Sequence, residues 1–134
     1  MSNDTIWTIG YEGRSAEEFE AFLRAHCIDL VIDVRRWPYT RRETWANRNR
    51  LSHLSNAVPG CPYVSWPELG NRKGAVAGAW EMIDAEEAWA TLRHLQRLVE
   101  RSYRIALLCR ERDPMTCHRA HVAGRAAPHV IHIR

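Results

Sequence analysis

Two short runs, DLVIDV (29–34) and YRIALLC (103–109), are apolar at almost every position. A strand with one wet face alternates apolar and polar residues, whereas a strand covered on both faces does not. Runs this short belong to strands rather than buried helices, so the chain must supply two covering layers. The helices for those layers are written directly upstream. Ser15 opens SAEEFEAFLRAH, in which Ser15 and Glu18 form a capping-box pattern and Phe19, Phe22 and Leu23 share one face. Asp84 and Glu87 repeat that pattern at the start of DAEEAWATLRHLQRLVERS. Ala88, Trp89, Leu92, Leu95, Gln96 and Val99 trace its inner face, with Gln96 the one polar member. TIWTIGY (5–11) adds a strand ending in glycine, so the chain opens β-loop-α-β, the unit that builds parallel sheets.

The remaining segments extend the alternation. RRWPYTRRETW (35–45) holds Pro38 and has no period, which predicts a loop, followed by a helix over 46–56. PYVSW (62–66) reads as a short strand and PELGNRKGAVAG (67–78) as a glycine-punctuated loop. Asp113-Pro114 supplies an N-cap and a proline at the first helical position, predicting a helix from there to Gly124. HVIHI (129–133) is a last strand. No repeat or linker interrupts residues 1–134. The expectation is one α/β domain, a mostly parallel sheet of about five strands with helices on both faces, in a Rossmann-like three-layer sandwich.

A chain of 134 residues buries enough surface, roughly two thirds, to need no disulfide staple. Its net charge of +3 is too small to imply a partner. Arginine, however, supplies eighteen of the nineteen basic residues, Lys73 being the sole lysine. Its planar fork suits carboxylate and phosphate. The start, MSNDTIWTIGYEG, has neither a basic region nor a long apolar stretch, and no run approaches a membrane span. A cytoplasmic protein without membrane contact is expected, with Cys27, Cys61, Cys109 and Cys117 as reduced thiols.

In open α/β sheets, ligands bind beyond the carboxyl ends of the strands. Three predicted strands end in loops rich in reactive or charged groups. The first runs into Gly10, Tyr11, Glu12 and Arg14, the second into Asp33, Arg35, Arg36, Arg41 and Arg42, the fourth into Cys109 and RERDPMTCHR. Gly10, Arg14, Arg35, Arg41, Arg42 and Arg119 are therefore the candidate anion-binding residues, because arginine forks grip phosphate bidentately. Glu111, Asp33 and His118 are candidates for proton transfer. Cys117, placed near a helix start beside His118 and Arg119, is a candidate nucleophile because both neighbours and helix favour its thiolate. The competing reading is a structural ion-pair network, which has the same composition.

No cofactor is expected. Cys109, Cys117, His118 and His121 lack the short Cys-x-x-Cys or His-x-x-x-His spacing of zinc sites, so no metal ligand is assigned either. A Cys109–Cys117 disulfide is expected only as a redox switch. A phosphatase-type anion cradle is disfavoured. Such loops carry an arginine six positions after the cysteine, where this chain has Met115, and Glu111 and Asp113 would repel an anion.

The segments TIGYEGRSAEEFEAFLRAH, LVIDVRRWPYTRR, YVSWPELGNRKG and IALLCRERDPMTCHR, with VIHI closing, resemble the domain of unknown function 488 family. The resemblance implies a compact α/β fold. It marks Gly10, Arg14, Ser15, Asp33, Arg35, Leu69, Gly70, Cys109, Glu111, Cys117, His118 and Arg119 as motif positions and implies no reaction. The functional expectation is a small enzyme acting on an anionic, nucleotide-like or phosphorylated ligand. A nucleic-acid module is the alternative, since residues 35–50 hold six arginines against Glu43, interleaved with Trp37, Tyr39 and Trp45. A further alternative is a non-catalytic domain that uses exposed tryptophans to bind a partner.

Overall fold

The computed structural model describes residues 4–72, 75–76 and 79–133. Its five strands are β1 (Thr5–Gly10), β2 (Leu30–Asp33), β3 (Tyr63–Ser65), β4 (Ile105–Cys109) and β5 (His129–Ile133). The helices are α1 (Ala16–Ala25), α2 (Arg48–Asn56), α3 (Ala85–Glu100) and α4 (Arg119–Ala126). The strands form one sheet in the order β3-β2-β4-β1-β5, every neighbouring pair parallel.

The two apolar runs occupy the interior of this sheet, and each side of it has its own core. On one side Phe19 and Leu23 of α1 and Leu51 of α2 pack with Trp7, Ile9, Val31, Ala106 and Leu108. On the other, Leu92, Leu95 and Val99 of α3 and Val122, Ala123 and Ala126 of α4 pack with Ile6, Ile32, Ile105 and Leu107. The α/β class, the parallel sheet and helices on both faces are as the sequence implies.

The helix starts follow their caps. Ser15 accepts from the Glu18 amide while the Glu18 side chain accepts from Ser15, a closed capping box. Asp84 caps α3 through the Glu87 amide, and Gln96, the polar member of the inner face, donates to the Arg125 carbonyl at 2.7 Å. The loop expected over 67–78 contains a 3-10 turn at Pro67–Leu69 and an isolated bridge between Asn71 and Met82. Residues 73–74 and 77–78 of that loop lie outside the described residues.

One helix differs from expectation. Asp113 caps the Met115 amide and Pro114 begins a turn, but the turn is a 3-10 segment, Pro114–Thr116, and it stops. Cys117 follows with an extended backbone (φ −124°, ψ 143°), and α4 starts only at Arg119. The break has a packing cause: extended backbone lets Cys117 point into the core cluster under α3 and α4. Cys117 thus precedes a helix instead of occupying its first turn.

Candidate functional site

Parallel pairing puts the ends of β1, β2 and β4 at one edge, with Gly10 opposite Cys109 and Asp33 opposite Leu108. A cleft of about 590 Å³ opens there. The β1 end contributes Tyr11 and Glu12, the β2 end contributes Arg35 to Trp37 and Tyr39 to Glu43, and the β4 end contributes Cys109 to Glu111. His118 and Asn71 complete the lining. Helices α1 and α2 lie on one face and α3 and α4 on the other, so the cleft sits where the connections leaving β1 and β4 diverge. Ligands collect at such a switch point.

The loops are held by backbone contacts that admit no side chain. A Cβ on Gly10 would stand 1.8 Å from the Glu111 carbonyl oxygen and 2.4 Å from its carbon. Gly10 therefore positions the β4 loop instead of lining the cleft. Gly70 does the same for the β2 loop, where a Cβ would lie 2.5 Å from the Arg36 nitrogen.

The expected arginines divide into two groups. Arg14 is buried; its Nε donates to the Gly10 carbonyl at 2.7 Å and its Nη2 to the Ile133 carbonyl at 3.1 Å. Arg119 is fully buried and donates to the Glu111 and Arg112 carbonyls, fastening the loop after β4. Neither lines the cleft. Arg35, Arg41 and Arg42 do, together with Arg36 of the same basic loop and with Arg110, whose place in the cleft nothing in the sequence marks. Trp37 and Tyr39 are 68% and 64% exposed at the rim. Trp45 is not available there: its ring packs on Phe19 and Tyr11, and its Nε1 donates to the Arg14 carbonyl.

Asp33 is fully buried and committed to neighbours. Arg35 reaches it in a fork, Nε to Oδ1 at 2.8 Å and Nη2 to Oδ2 at 2.7 Å. The Arg35 amide and the Tyr63 hydroxyl also donate to it. Burial works against the Arg35 charge, but the hydrogen bonds and charge of Asp33 outweigh it and raise the guanidinium pKa. The Arg35 guanidinium lies 4.9 Å from the Tyr11 ring centroid. This arrangement makes Asp33 an anchor for Arg35. The part played by Tyr63 was invisible in the sequence, because it depends on β3 pairing with β2.

Beneath the arginines the β4 end and the approach to α4 bring two thiols and an imidazole together. Cys109 Sγ, Cys117 Sγ and a ring nitrogen of His118 all lie within 4.8 Å of one another. Nδ1 of His118 is 3.8 Å from each sulfur, and Nε2 is 2.9 Å from the Val34 carbonyl oxygen. A carbonyl only accepts, so Nε2 carries the hydrogen and Nδ1 faces the sulfurs. Glu111 Oε2 stands 3.6 Å from Cys109 Sγ.

Proton affinities in this group are spread apart. The Cys109 hydrogen bond lowers the Cys117 thiol pKa, burial opposes it, and His118 lowers it further; the net shift is strongly downward. Cys109 is pushed up by that same hydrogen bond and by burial. Burial lowers the His118 pKa, yet contact with Cys117 reverses this and raises it. Glu111 is raised by burial and then by Cys117. Proton affinity is therefore lowered at Cys117 and raised at Cys109, His118 and Glu111, and the Cys109 thiol donates to Glu111 Oε2.

Of the residues singled out in the sequence, the cleft brings together Arg35, Arg41, Arg42, Glu111 and His118, with Cys117 immediately behind His118. Asp33 lies just behind Arg35, while Gly10, Arg14 and Arg119 build the frame. Among the described residues, no helix is long and apolar enough to cross a membrane.

Comparison with curated proteins finds no match, and comparison with solved structures finds none either. A protein-family model, Domain of unknown function DUF488, matches residues 15–126, a span that includes α1, the Asp33–Arg35 anchor and the whole Cys109–Arg119 segment. The chain belongs to the DUF488 family.

Proposed function

We propose that the protein is a small enzyme that binds an anionic, nucleotide-like or phosphorylated ligand in the cleft at the strand ends. One observation carries the reading. Five arginines (Arg35, Arg36, Arg41, Arg42 and Arg110) line the cleft against three carboxylates (Glu12, Glu43 and Glu111), and Cys109 and His118 line the same cleft. The Arg35 Nη1 is a buried donor with no hydrogen-bond partner among the described residues, which suits a ligand oxygen. Arg36, Arg41 and Arg42 are in no ion pair among the described residues. Trp37 and Tyr39 at the rim supply flat faces on which a base can stack. An anion held by the arginines places its reacting end over the thiol, imidazole and carboxyl groups of Cys109, His118 and Glu111.

The test is thermal unfolding with inorganic phosphate, pyrophosphate and adenosine monophosphate as probes. A probe at a hundredfold excess over its dissociation constant adds about 2.7 kcal/mol of stability. The Arg41→Ala/Arg42→Ala variant, changed only at exposed positions, should keep the melting temperature of the free protein and lose the probe-induced rise. Absence of a rise for every probe, or its persistence in the variant, refutes the reading. Oligonucleotide binding that collapses with salt, with no response to the small probes, favours the nucleic-acid alternative instead.

A further inference from the structure

The cluster at the floor of the cleft has a geometry that neither thiol chemistry nor anion binding requires. A tetrahedral zinc ion with ordinary Zn–S and Zn–N bonds of about 2.3 and 2.0–2.1 Å holds its donors about 3.6 Å apart for S···N and about 3.8 Å for S···S. Here His118 Nδ1 is 3.8 Å from both Cys109 Sγ and Cys117 Sγ, and the three atoms together fall within 4.8 Å. The two S···N separations match such a tetrahedron to within a few tenths of an ångström, and the two sulfurs lie no more than 4.8 Å apart, within reach of one ion.

The surroundings fit the same purpose. A metal-bound histidine characteristically donates its other ring N–H to a carbonyl or carboxylate, which fixes tautomer and ring orientation. Nε2 of His118 makes that bond to the Val34 carbonyl at 2.9 Å, turning Nδ1 towards the two sulfurs. All three residues are buried, so the donors are held by packing. Two of them, Cys109 and His118, also line the cleft, so a bound ion has a way in and one side open to ligand.

We propose that Cys109, Cys117 and His118 bind one thiophilic divalent ion, zinc or cobalt, through Sγ, Sγ and Nδ1, leaving a fourth position open to the cleft beside Glu111. Three protein ligands with one exchangeable position is the arrangement of catalytic zinc, whereas structural sites are closed by four. Binding needs both sulfurs as thiolates and Nδ1 without its proton, so any proton on those three atoms is released to solvent as the ion enters. The site stands on these three donors alone. It does not require the anion reading above, although its open position faces the same cleft.

The experiment is titration of the reduced, chelator-treated full chain with Co(II), followed by absorbance. One equivalent should produce a thiolate-to-cobalt charge-transfer band and the intense visible bands of four-coordinate cobalt, and zinc should bleach both. Cys109→Ala, Cys117→Ala and His118→Ala should each weaken binding by more than the about 10–100-fold that loss of an outer-shell partner costs. Cys27→Ser, which removes an exposed thiol outside the cluster, should leave the titration unchanged. Circular dichroism of each metal-free variant separates ligand loss from unfolding, and a truncation that unfolds is replaced by Cys→Ser or His→Gln. Azide should shift the visible bands in wild type and in Glu111→Gln if the fourth position is open. Failure to form the bands, or their equal loss in Cys27→Ser, overturns the metal site. Bands insensitive to azide, or abolished by Glu111→Gln, overturn the open position. A metal-free Cys109–Cys117 disulfide that is restored in air after reduction, with no cobalt bound by the reduced chain, replaces the metal site by a redox pair. Phosphate probes are absent throughout, so failure here and failure of the anion reading are distinguishable.

Discussion

Removing Asp33 should unfold this protein more readily than removing any exposed acid, and the reason can be worked from its contacts. Asp33 accepts four hydrogen bonds: from the Arg35 amide, from Nε and Nη2 of the same residue, and from the Tyr63 hydroxyl. In Asp33→Ala, Arg35 keeps its 2.7 Å bond to the Ala46 carbonyl and loses its counter-charge in a site where it is 5% exposed. Breaking one partner of a buried pair costs about 3–5 kcal/mol, against about 0–1 kcal/mol for a pair in water. With a urea slope near 2 kcal/mol/M, the denaturation midpoint should fall by about 1.5–2.5 M. Arg35→Leu alone strands the carboxylate and should cost a similar amount. The double variant removes both charges, so its loss should be smaller than the sum of the two by at least about 2 kcal/mol.

Equilibrium urea unfolding of the four proteins checks this directly. Additivity within about 0.5 kcal/mol, or a single-variant loss below about 1 kcal/mol, would refute the anchor role. A gain in stability on removing Asp33 would be more informative still. That sign belongs to a carboxylate kept for chemistry against its neighbours, and it would return Asp33 to the reacting groups.

Two further variants probe the frame. Gly10→Ala forces a Cβ to within 1.8 Å of the Glu111 backbone and 2.9 Å of the Arg112 Cα, where no side chain can yield. It should cost at least about 1–3 kcal/mol in urea unfolding, and a loss under about 0.5 kcal/mol would mean the loop after β4 moves freely. Cys27, just past the end of α1, has φ +51°, a left-handed conformation that costs a side chain about 1–2 kcal/mol. Glycine escapes that strain but loses about 0.5–1 kcal/mol more chain entropy. Cys27→Gly should therefore raise the melting temperature by a few degrees, and a decrease would show that the Cys27 side chain itself contributes.

The elements were legible where one segment carries its own evidence. The inner face of α3 is written in Ala88, Leu92, Leu95 and Val99, and all four are buried. The apolar runs became β2 and β4, flanked in the sheet by neighbours on both sides. What a segment cannot carry is its order in the sheet. Placing β4 between β1 and β2 brings Gly10, Asp33 and Cys109 to one edge, and the pairing of β2 with β3 gives Asp33 its Tyr63. The split of the predicted helix at Cys117 was hidden for a related reason. Asp113 and Pro114 do start a turn, but burial of the Cys117 side chain ends it, and burial is settled by α3 and the sheet.

Arginine shows most clearly why the site was only partly readable. Arg14 and Arg119 stand in motifs as rich as those of Arg41 and Arg42, yet the first two satisfy backbone carbonyls and the second two line the cleft. A guanidinium serves both ends with the same fork of donors, and only the position of the carbonyls decides which. Ligand spacing fails in a similar way for the cluster. Short spacings identify metal sites because a single turn or helix presents both donors. Here Cys109 ends a strand, Cys117 and His118 arrive after a 3-10 turn, and the intervening loop is drawn back by Arg119 holding the Glu111 and Arg112 carbonyls. The buried arginine that seemed a ligand for anions is thus part of what folds the thiols and the imidazole into one site.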